Sequence, residues 1–171
     1  MEMDYRECDR LWQRVSPGLN PYPEVRAAQN PCCMGDAAQS ETEVLRGFLR
    51  DELADAQTYR YLAAHAPSRE GCRLMRGLAA DAAARVKTLQ SAHYLITGGA
   101  YDVTVVLPPQ SRLTWCDRLR ERYHAAACAG LNYARASEET TDVCLKKLLA
   151  RLSEDEYRAA EQLRRALERA L

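Results

Sequence analysis

The sequence has no C-x-x-C pair among its seven cysteines, only three histidines, and no net charge, because 24 lysines and arginines face 24 aspartates and glutamates. Without a basic excess there is no surface of the kind phosphate contacts demand, so nucleic acid is not an expected partner. No stretch approaches the ~18 uncharged apolar residues of a bilayer-spanning helix, so no membrane partner is expected. The opening Met1-Glu2-Met3-Asp4 is acidic and leads into no apolar run, which argues against a secretory signal. In that context an odd number of cysteines reads as thiols rather than a disulfide framework, and the expected location is cytoplasmic. Nucleophile triads, phosphate-cradling glycine loops and nucleotide motifs are also missing. What is present, 171 residues with 47% hydrophobic and 28% charged side chains, fits one globular domain with a core of its own.

Proline and glycine divide that domain. Pro17, Pro21, Pro23 and Pro31 cluster early, and Pro108-Pro109 form a pair near the middle. Residues 4–15 carry Tyr5, Cys8, Leu11, Trp12 and Val15 at three- and four-residue spacing, the pattern of a short amphipathic helix. Residues 16–40 follow as an extended proline-rich arm, since each proline removes a donor and biases its predecessor away from helix. A first long helix is expected from Glu41 to Ala66, with Ser40 and Glu43 as a capping box. A second is expected over 72–97, stopped by Gly98-Gly99. Residues 100–110 read as an extended crossover, and a third helix is expected over 111–138 with Ser111 as its cap. A fourth runs from about Asp142 to the end. Short, long and short connections match an all-α four-helix bundle with one crossover over residues 41–171, preceded by a separate arm over 1–40.

The two helix pairs superpose at a constant offset of 74 residues: Leu45 on Leu119, Tyr59 on Tyr133, Leu78 on Leu152, Asp81 on Asp155 and Leu89 on Leu163. Amphipathic helices share leucines by chance, but not the tyrosine and aspartate coincidences as well. The pattern reads as a duplicated helical hairpin with a pseudo-twofold axis.

Glu52 followed by Tyr59, then a turn and a helix with an acidic residue, resembles rubrerythrin and other ferritin-like di-iron carboxylate proteins over residues 41–171. That resemblance implies one inward Glu from the first helix of each hairpin and a Glu-x-x-His pair from the second. Carried over position by position, Glu52 is present, but Ala82 and Arg85 stand at one pair, Ala126 at the third-helix Glu, and Glu156 and Ala159 at the last pair. Two of the six ligands remain. Asp81 and Asp155 are no substitutes, since one position is about 100° of helix rotation. His124 should face outward, and His93 lies about 16 Å along the axis from Ala82.

Two buried carboxylates without partners are costly. The arginine at a former ligand position therefore suggests that the Arg85 guanidinium fills the vacated metal space and bridges Glu52 and Glu156, with Tyr59 and Tyr133 supplying hydroxyl donors. The competing reading sends Arg85 to solvent, paired with Asp81. The resemblance thus implies a ferritin-like protein that has lost most of its di-iron ligands, a non-catalytic structural or interaction protein with no cofactor expected. A second copy or another protein is the expected partner. One alternative is a di-iron-type oxidoreductase reducing peroxide or oxygen, with iron or another divalent metal on Glu52 and Glu156. The other is a small-ligand or thiol-redox protein using an emptied bundle core or Cys32 and Cys33, which lie in an Asn-Pro-Cys-Cys-Met-Gly turn. The remaining helical cysteines, Cys72, Cys116, Cys128 and Cys144, read as small buried hydrophobes.

Overall fold

The computed structural model describes residues 33–106 and 113–170, and the expected helix over 4–15 and most of the arm lie outside them. The described part is all-helical. A 3-10 turn over Asp36–Glu41 leads into α1 (Thr42–Ala64), followed by α2 (Arg69–Thr97), α3 (Trp115–Glu139) and α4 (Val143–Ala170). The end of the arm is therefore helical rather than extended, and it seats Ala38 fully in the core.

Each helix begins, and α2 also ends, for a local reason. The capping box expected at Ser40 does not form: Glu41 stands at the N-cap position of α1 without a side-chain cap bond. The 3-10 turn runs directly into the helix, and the Thr42 amide already finds an acceptor in the Gln39 carbonyl. Helix α2 starts three residues earlier than expected, because Ser68 Oγ accepts from the Gly71 amide at 3.0 Å and draws Arg69–Gly71 into the first turn. It ends at Gly98, whose φ of 72° is the left-handed cap that glycine adopts without a Cβ penalty. Ser111 lies outside the described residues, and the N-cap of α3 is Thr114, which accepts from the Asp117 amide. Asp142 caps α4 through Oδ1, which accepts from the Leu145 amide at 2.7 Å.

The 74-residue offset carries the start of α2 at Arg69 onto the start of α4 at Val143, and the other helix ends agree to within one residue. Helices α1 and α2 pack along each other, as do α3 and α4, whereas α2 and α4 touch only locally. The buried apolar side chains fall into two clusters. One gathers Tyr59, Met75, Leu78, Leu119 and Leu163; the other gathers Tyr133, Leu149, Leu152, Leu45 and Leu89. These are twins at the repeat offset, so the duplication maps one half of the core onto the other. Between the halves, along α1, α2 and α4, lie Glu52, Arg85 and Glu156.

Candidate functional site

Three charged side chains from three helices meet inside this bundle, and all are nearly inaccessible: Glu52 at 4% exposure, Arg85 at 4% and Glu156 at 1%. Arg85 Nε donates to Glu52 Oε1 at 2.8 Å, and its Nη2 contacts Glu156 Oε1 without forming an aligned hydrogen bond. Arg85 thus turns inward to both glutamates, and Asp81, its competing partner on the same helix, is exposed. Helical spacing explains the convergence. Glu52 lies one turn from the core residues Leu49 and Ala56, and Glu156 lies likewise between Leu152 and Ala159. Each therefore points where the apolar stripe points.

The tyrosines divide. Tyr133 donates to Glu52 Oε1 at 2.8 Å, so this oxygen serves two donors at once. Tyr59 is as deeply buried, yet its hydroxyl has no partner among the described residues, and the expectation that both tyrosines donate is corrected. The repeat explains the difference. The twin of Glu52 is Ala126, so the acceptor that Tyr133 finds has no counterpart for Tyr59. The same asymmetry holds throughout, with Arg85 against Ala159 and Glu156 against Ala82. The three alanines are buried in one apolar cluster with Tyr59.

Electrostatics follow from burial. Glu156 is pushed up to about 8, chiefly by its removal from water, with Glu52 and Asp55 acting in the same direction and Arg85 opposing them. Burial also raises Glu52, against the opposing pull of the Arg85 charge and hydrogen bond. For Arg85, burial disfavours the cation, but Glu52 and Glu156 outweigh it and hold the guanidinium protonated. One guanidinium balances one carboxylate, and the second carboxyl group retains a proton near neutral pH. Oε2 of Glu52 and Oε2 of Glu156 have no hydrogen-bond partner among the described residues.

One contact was not anticipated from the sequence. Asp55, one turn after Glu52, pairs with Arg122 of α3 at 2.8 Å, both largely buried. Burial raises Asp55 while Arg122 lowers it. The i, i+3 spacing of Glu52 and Asp55 was the available signal, but their arginines lie on two different helices. On the outer side of the triad, a cleft of about 210 Å³ between α2 and α4 is lined by Arg85 and Ala159 and flanked by Asp81 and Asp155. The two aspartates therefore face this cleft rather than the core.

A di-iron centre does not fit this arrangement. A cation already lies between the carboxylates, Ala82, Ala126 and Ala159 offer no side-chain donor atoms, and no imidazole reaches the triad. His65 and His124 are exposed, while His93 is occupied at the far end of α2, accepting from Arg46 Nε at 3.2 Å. Among the described residues no group of three or more His, Cys, Asp and Glu side chains is placed to hold a metal ion, and no helix is long and apolar enough to cross a membrane.

Of the proposed thiol pair, Cys32 lies outside the described residues, and Cys33 is disulfide-bonded to Cys144, with Cα atoms 5.3 Å apart. The reading of Cys33 and Cys144 as free thiols is thereby corrected. The two are 111 residues apart, too distant for spacing to reveal the pairing. Asp142 Oδ2 accepts from the Met34 amide at 2.7 Å and fastens the same two segments. Cys72, Cys116 and Cys128 are free; Cys128 is exposed and the other two are half-buried, so none is the fully buried hydrophobe expected.

Compared with protein-family models, characterised proteins and solved structures, the chain matches none.

Proposed function

We propose that the chain is a ferritin-like bundle of rubrerythrin type, with a long crossover between α2 and α3, in which an arginine has taken the place of the di-iron centre. It acts as a non-catalytic structural or interaction protein, with a second copy or another protein as its partner. The observation that carries this reading is Arg85 in contact with both Glu52 and Glu156 inside the core, at the positions the resemblance assigns to metal ligands. A cation there supplies the countercharge that metal ions would otherwise provide. The three buried alanines remove the remaining donors. On this reading the duplicated hairpin keeps the inward geometry of a metal site and uses it to join the two halves of its core.

Metal analysis of anaerobically purified protein, with an absorption spectrum, tests the proposal. The expected result is no stoichiometric iron and no near-ultraviolet oxo-bridge band. Two irons per chain would overturn it in favour of the peroxide- or oxygen-reducing alternative. The thiol-redox alternative has one observation in its favour, the Cys33–Cys144 bond.

A further inference from the structure

The Cys33–Cys144 bond joins unlike environments. Cys33 is exposed, in the turn before the 3-10 helix, whereas Cys144 is half-buried as the second residue of α4. Access therefore favours one direction of attack: an incoming thiolate reaches the exposed Cys33 sulfur, and Cys144 is the sulfur that leaves. The segment around Cys33 has a second attachment to the same helix end, the Met34 amide on Asp142 Oδ2, so opening the bond does not by itself detach it.

We propose that Cys33 is a thiol-exchange site for a small-molecule thiol. The incoming thiolate attacks Cys33 Sγ, the Cys33–Cys144 bond breaks, and its electron pair leaves on Cys144 as thiolate. Cys33 is then in mixed disulfide with the small thiol. A second small thiol attacks the adduct sulfur, frees Cys33 as thiolate and departs as the oxidised small-molecule disulfide. Over both steps the protein bond gains two electrons from two thiols. The site responds to the reduced-thiol content of its surroundings: the first step leaves Cys33 in mixed disulfide and Cys144 free, and the second leaves both cysteines as thiols.

The test uses the full folded chain carrying Cys32→Ser, so that the neighbouring thiol cannot resolve the adduct. The protein is treated with reduced glutathione without denaturant, trapped with iodoacetamide and mapped by peptide mass spectrometry. The expected result is the glutathione adduct on the Cys33 peptide and the carbamidomethyl label on Cys144. An adduct on Cys144 with the label on Cys33 would overturn the proposal. So would a disulfide untouched until denaturant is added, or a Cys33 that alkylates before any thiol is supplied. A Asp142→Asn variant adds a second readout. Weakening the parallel attachment should leave the site of adduct formation unchanged, and a switch of the adduct to Cys144 would contradict the assigned direction.

Discussion

A guanidinium held between two carboxylates is neutral only when one carboxyl keeps its proton, and both consequences can be measured on single residues. Replacing Arg85 by Ala leaves two buried acids without their countercharge, and denaturant titration should show a loss of about 3–5 kcal/mol. The triple variant Arg85→Met, Glu52→Leu, Glu156→Leu removes the whole centre and should be close to neutral or more stable in the same assay. The pH dependence follows from Glu156, pushed from its ordinary 4.5 up to about 8 by burial. Between these values the native state holds a proton that the unfolded chain has released, so this group lowers stability as pH rises from about 4.5 to about 8. Glu156→Gln should flatten that part of the profile in denaturation measured across the range. Glu52, Arg85 and Glu156 were singled out in the sequence because the resemblance to di-iron carboxylate proteins implies inward ligands at those positions, and helical spacing agrees with it. The missing partner of Tyr59 was not, since it depends on the Ala126 twin lying across the bundle.

At the scale of the element, the helix stops were easier to read than the starts. Gly98 has one role at a helix C-terminus, and the structure gives it the expected left-handed φ of 72°. Serine and threonine compete for N-caps, and the winner is set by what precedes the helix. At α1 a 3-10 turn makes a side-chain cap unnecessary, and at α3 Thr114 takes the role expected of Ser111. Asp142 is the most heavily used of these caps, because one carboxylate serves the Leu145 amide of α4 and the Met34 amide of the preceding segment. Asp142→Ala should therefore cost more than the ~1 kcal/mol typical of losing a cap, while Thr114→Ala should cost about that amount. Thermal or urea unfolding of the two variants side by side checks the order; equal losses would mean that the Met34 contact adds nothing.

Across the whole molecule, the repeat offset is the deepest regularity that the sequence carries. It exchanges the two apolar clusters, and the polar layer lies between them. All-helical architecture and four long helices were accessible from periodicity and spacing, while the inward positions of the site came from what the resemblance implies. The Cys33–Cys144 bond was not, because a contact across 111 residues leaves no local trace. The central proposal is that an arginine occupies the space that two irons would fill in a ferritin-like di-iron protein. Diffraction at the iron absorption edge from crystals grown with ferrous iron tests it most directly. The account predicts planar guanidinium density between Glu52 and Glu156 and no anomalous peak there. An anomalous peak between the two carboxylates, with Arg85 displaced toward the cleft, would contradict it.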